Sequence, residues 1–163
     1  MKNLKVKFCT TAGCIAALYV VLTLISNVFG LASGAVQVRI SEALCILPLY
    51  MKSAVPGLTV GCFLSNLIMG SPLPDVIFGS VATLSGAVFT RVLRKNKYAA
   101  ITGPVISNTI IVPFVLKYAY NLDGAWWYMA ATVFAGEVIS CIVFGVILMK
   151  AIEKRDLLVN EIN

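Results

Sequence analysis

The chain has 163 residues, 60% of them hydrophobic, with a mean hydropathy of +0.93 and a net charge of +6. A water-soluble domain of this length is not so apolar. With no histidine, no C-x-x-C pair and five cysteines scattered through apolar stretches, neither a zinc site nor a disulfide framework is expected.

A helix needs about 20 mostly apolar residues to cross a bilayer, and six stretches come close to that. Residues 1–8 form a basic arm, followed by a first predicted helix over 9–29 that holds no charge. Lys2, Lys5 and Lys7 before an apolar run have the look of a signal peptide. The run is longer than a signal core, however, and no A-x-A type cleavage site follows, so it is read as a helix. GLASGAVQV (30–38) reads as an outer loop in which Gly30 and Gly34 supply freedom. A second helix is predicted over 36–51, with Arg39 and Glu42 near its start and Pro48 inside; KSAVP then turns the chain.

The third helix covers 56–70, with Pro56 at a tolerated first-turn position, and GSPLPD is a tight connection to a fourth over 75–92. RVLRKNK forms an inner loop. The fifth helix, 98–118, carries Pro104 and Pro113, which should bend it. YNLDGAWWY (120–128) is an outer loop running into an aromatic belt, and the sixth helix spans 125–150 before a short amphipathic tail. Nothing is left for a soluble domain, so residues 1–163 form one all-α membrane domain, and no internal repeat is evident.

Basic residues orient the bundle. With a cytoplasmic N-terminus, eleven of the thirteen Lys and Arg residues fall on inner segments, and only Arg39 and Lys117 fall outside. Both termini then face the cytoplasm. The positive charge is an orientation signal and not a nucleic-acid footprint, because it is split among four inner segments.

Glu42 and Glu137 are the exceptional residues, since a carboxylate at the centre of a membrane helix costs roughly 3 kcal/mol by insertion scales. At about 1.5 Å of rise per residue, Arg39 and Glu42 lie in the outer turns of the second helix. Asp75 sits at the outer end of the fourth helix and Asn66 near that of the third. Asn108 and Glu137 lie near mid-depth of the fifth and sixth, and Ser26 and Asn27 close the first. Trp126, Trp127 and Tyr128 stand at the outer mouth. Polar groups from several helices thus collect in the outer half of the bilayer, which suggests a pocket open to the outside.

Each group also has a purely structural role open to it. Arg39 and Glu42 are spaced to pair on one helix face. Glu137 could be a protonated carboxyl bonded to Asn108. The asparagines could join helices, and the tryptophans could anchor the interface. Separately, Ala12-x-x-x-Ala16 and Gly13-x-x-x-Ala17 strip bulk from the first helix. They would allow close approach either of a partner or of another helix of the bundle.

Size, six helices, inner termini, the small-residue motif and the outer-half pocket together resemble the substrate-binding (S) components of energy-coupling factor transporters. VQVRISEALCILPLY (36–50), VPGLTVGCFLSNLIMG (55–70) and PLPDVIFGSVATL (72–84) look like the QueT family of queuosine-precursor transporters. The resemblance implies capture of queuine or a 7-deazaguanine precursor from outside. It also implies docking through Ala12, Ala16 and Gly13 on a membrane coupling subunit driven by two ATPase chains. This chain carries no G-x-x-x-x-G-K-[ST] motif for ATP and is expected to be a transport subunit, not an enzyme, with no cofactor or metal.

A deazaguanine presents a ring N–H beside an exocyclic amine, which one carboxylate can accept together. Glu137 is expected to read that edge, with Glu42 or Asp75 near a cationic arm, though the two glutamates could exchange roles. Asn66 or Asn108 would donate to the ring carbonyl, Arg39 would complete the polar set, and Trp126 or Trp127 would stack on the ring. Two alternatives stay open: an S component for another vitamin or nucleobase-like heterocycle, and an ion-coupled carrier or channel with Glu137 as relay.

Overall fold

The computed structural model describes residues 2–31, 37–120 and 124–154. Gly34 with most of the predicted 30–38 loop, the middle of the 119–125 loop, and the tail with Arg155 lie outside the described residues. Among the described residues there are six helices and no strand.

Helix 1 runs Lys2–Val28, so the basic arm is not a separate segment but the first turns of the helix. Lysine and leucine are good helix formers, and nothing in KNLKVKF breaks the run. Its far end closes on Gly30, whose φ of +69° suits a residue without a side chain; Leu31 N–H donates to the Ser26 carbonyl at 2.9 Å across it.

Helix 2 departs from the sequence expectation. It spans only Ile40–Leu49 and is wound as a 3₁₀ helix, not as a full α-helix over 36–51. At about 2.0 Å per residue it is roughly 20 Å long. Every residue from Ser41 to Leu49 is buried, because the other helices surround it. It is a central pin, not a lipid-facing span. Pro48 cannot donate a backbone hydrogen bond, and the carbonyls at this end of the pin need other partners. Arg91 supplies them, donating from Nη1 to Pro48 O at 3.0 Å and Leu49 O at 3.3 Å.

Helix 3 (Ala54–Ile68), helix 4 (Leu73–Val92), helix 5 (Lys97–Ala119) and helix 6 (Trp126–Lys154) complete the bundle. Helices 1, 4, 5 and 6 are long and apolar enough to cross a membrane; helices 2 and 3 are shorter. Helix 5 runs on through Pro104 and Pro113, both fully buried. Helix 6 contains a π-helical stretch, Val138–Phe144, immediately after Glu137. The chain is therefore an all-α six-helix bundle of the expected class.

Helix 1 lies against helix 3 at backbone distance. A Cβ added to Gly61 would stand 2.7 Å from the Tyr19 Cβ and 3.0 Å from the Ala16 carbonyl. One at Gly57 would stand 2.8 Å from the Ala12 carbonyl. Ala12 and Ala16 thus face helix 3, while Gly13 is exposed with open space beside it. At the opposite end of the bundle from Gly30, Glu153 accepts from Tyr50 at 3.1 Å and pairs with Lys97 at 2.5 Å, tying helices 2, 5 and 6 together.

Candidate substrate pocket

The site begins where helix 2 has not yet started. Residues 37–39 are not helical, and Arg39 is extended at φ −103°, ψ 110°. This short strap is fastened on two sides. Val38 N–H donates to Leu31 O at 2.8 Å and Ile40 N–H to Ser26 Oγ at 2.9 Å, both on the helix 1 side. Arg39 N–H donates to Ser140 Oγ of helix 6 at 3.1 Å. Just before these anchors the Gln37 backbone rests directly on Gly136, where an added Cβ would collide with the Gln37 carbonyl oxygen.

Strap and helices enclose a cavity of about 30 Å³, room for about two waters. Arg39, Glu42, Asp75, Asn108 and Glu137 all line it, drawn from the strap and helices 2, 4, 5 and 6. Asn66 is fully buried beside them and bridges helices: it accepts from Arg39 Nη1 at 3.3 Å and donates to the Asp75 carbonyl at 3.4 Å. Trp126 and Trp127 do not line the cavity. Trp126 packs on Phe114 with ring centroids 5.7 Å apart, and Trp127 is 71% exposed.

Arg39 and Glu42 do not pair with each other. Helix 2 starts after Arg39, so the spacing that would bring them together on one helical face does not apply. Glu42 accepts instead from the Tyr19 hydroxyl of helix 1 and from Cys45 Sγ at 3.0 Å. Glu42 and Cys45 are three apart, which in a 3₁₀ helix is one turn and stacks the two side chains. Glu137 accepts from Asn108 Nδ2 at 2.8 Å and from Cys141 Sγ at 3.2 Å. Asp75 accepts from the Tyr120 hydroxyl at 2.7 Å. The partner foreseen for Glu137 is there, and it leaves the carboxylate on the cavity wall.

The two glutamates converge: a carboxylate oxygen of each and Cys141 Sγ all lie within 4.8 Å of one another. Two acids this close, in a place of low dielectric, favour a ligand that brings hydrogen-bond donors or positive charge. Thr83, Gln37 and Cys62 add further polar surface, and Val112 and Val133 supply apolar walls. Sequence reasoning passed over Tyr19, Gln37, Cys45, Thr83, Tyr120 and Cys141. A tyrosine or cysteine in an apolar span looks like core, and a glutamine in a short loop looks solvated; only the turn of helix that separates Glu42 from Cys45 and Glu137 from Cys141 hinted at a link.

A family model described as QueT transporter matches residues 9–154 of the chain. Among curated proteins, the queuosine precursor transporter QueT of Lactococcus lactis subsp. cremoris (strain MG1363) is 34% identical over 84 residues, 52% of this chain. The matched stretch spans about half of that relative, 49% of its length. No solved structure matches.

Proposed function

The chain belongs to the QueT transporter family, and from that premise we propose that it is the substrate-capturing subunit of an ATP-driven importer for a 7-deazaguanine precursor of queuosine. As a multi-pass membrane protein of a transporter family it is not an enzyme. The observation that carries the proposal is the convergence of Glu42 and Glu137 on one small, mostly buried cavity. One carboxylate accepts the ring N–H and exocyclic amine of the base; the other faces a cationic arm. Asn66 holds Arg39, and Asn108 holds Glu137, so both asparagines act by positioning as well as by contact.

The site opens to the outside and both termini lie in the cytoplasm, as the distribution of basic residues supports. Energy comes from a coupling subunit and two ATPase chains. Contact with the coupling subunit is made through helix 1, whose outward side carries Gly13. At about 30 Å³ the cavity is far below the few hundred Å³ of a ligand pocket, so binding opens it.

The test is direct binding of queuine and its 7-deazaguanine precursors to the purified chain in detergent, with guanine, riboflavin and thiamine as controls. Selective binding of a deazaguanine supports capture. A folded protein that binds none of them removes the substrate assignment. Uptake in vesicles that persisted without ATPase chains and followed a proton gradient would instead favour an ion-coupled carrier.

A further inference from the structure

Gln37 stands apart from the rest of the cavity wall. Its neighbours there are committed: Glu42 to Tyr19 and Cys45, Glu137 to Asn108 and Cys141, Asp75 to Tyr120, and Arg39 to Asn66. Gln37 lines the same cavity, and no hydrogen bond joins its side chain to another described residue. Its carboxamide offers a donor and an acceptor side by side.

Its position is not left to chance. The Gln37 carbonyl sits where any side chain on residue 136 would be, and the strap is stitched on by Arg39 N–H to Ser140 Oγ, one helical turn further along helix 6. Gly136 is also the residue next to Glu137. The seam therefore fixes the Gln37 backbone against helix 6, at the residue next to Glu137.

We infer that Gln37 is a specificity-determining residue that reads the edge of the base bearing the unsubstituted ring N–H at N9, and that Gly136 and Ser140 are its positioning residues. The inference rests on the functional reading above. Around a guanine-type ring, the edge that a carboxylate accepts, N1–H with the exocyclic amine, is followed directly by N3, an acceptor, and N9–H, a donor. A carboxamide matches that second pair, its N–H to N3 and its carbonyl oxygen to N9–H. Neighbouring residues thus read neighbouring edges. N9 is the atom that carries ribose in a nucleoside, so the site selects the free base and rejects nucleosides and other N9-substituted forms.

The experiment compares equilibrium binding of 7-aminomethyl-7-deazaguanine and its N9-methyl derivative to the full chain in detergent, for the parent, Gln37→Ala and Gly136→Ala. The parent should prefer the free base by about tenfold or more, since the derivative leaves a polar group unpaired. Both variants should bring that preference within about threefold, because one removes the carboxamide and the other displaces it. Gln37→Ala breaks no hydrogen bond among the described residues, so its result stands even where Gly136→Ala fails to fold. A merely structural role would weaken both compounds alike and leave the ratio unchanged. A parent with no preference, or Gln37→Ala with the parent's preference, overturns the inference and leaves the functional reading intact. A folded parent that binds neither compound overturns both.

Discussion

The hydroxyl of Tyr19 on helix 1 donates to the carboxylate of Glu42 on helix 2, and both side chains are buried. Gly61 of helix 3 lies close behind the Tyr19 Cβ, so the tyrosine is wedged between a neighbouring helix and the acid it holds. The helix packing and the polar site therefore share a residue.

Tyr19→Phe should destabilise the protein, because it keeps the ring but strips a buried carboxylate of a donor. The cost is about 1–3 kcal/mol, or several degrees in melting temperature for a chain of this size. Thermal unfolding in detergent, followed by circular dichroism, reads it. An unchanged melting temperature would mean that Glu42 finds an equivalent partner without Tyr19.

Gly61→Val places an isopropyl group where a Cβ alone would already crowd Tyr19 and the Ala16 carbonyl. Overpacking of a tight interface costs about 1–3 kcal/mol, so expression and melting temperature should both fall. Gly13→Val on the exposed side of the same helix pair should leave both near the parent values. A Gly61→Val protein as stable as the parent would show that helices 1 and 3 can separate without loss.

Glu137→Gln keeps the shape of the side chain and removes its charge. Loss of a charge-assisted pair, worth about 1.5–3 kcal/mol, should weaken deazaguanine binding by roughly ten- to a hundredfold. Isothermal titration or ligand fluorescence measures it. Equal affinity in the variant would strip Glu137 of its assigned part.

Trp127→Ala offers the contrast. The ring is mostly exposed, meets Tyr128 edge-on with centroids 6.4 Å apart, and stays off the cavity wall. Affinity in detergent should change by less than about threefold, a difference under 1 kcal/mol. A tenfold loss would mean that the ring folds over the ligand once bound.

Much of this fold was legible because an uncharged run of about 20 residues suits a membrane-spanning helix, whereas a barrel strand needs about half that length. The cost of burying a charge likewise singled out Glu42 and Glu137 from their place in apolar runs. The winding of helix 2 was not legible: ISEALCILPL is an acceptable α-helical sequence, and its 3₁₀ form depends on the other helices closing around it. The alanines of helix 1 were visible as a pattern, but the close approach of helix 3 to them depended on Gly57 and Gly61, far along the chain. Gln37 was hidden for a related reason, since its importance comes from the glycine beneath it and not from its own surroundings in sequence.

The hydrogen bonds around the cavity have a consequence for unloading. Tyr19, Cys45, Asn108, Cys141 and Tyr120 each occupy an acid that a ligand would use. The protein thus carries its own understudy for the substrate. On the proposed reading, capture would exchange one set of donors for another, and only a molecule that offers a better set would displace the residents. On that reading the same side chains would return to their places when the ligand departs, so delivery would leave none of the three acids bare in the membrane. Selectivity on entry and ease of release would then come from the same few contacts.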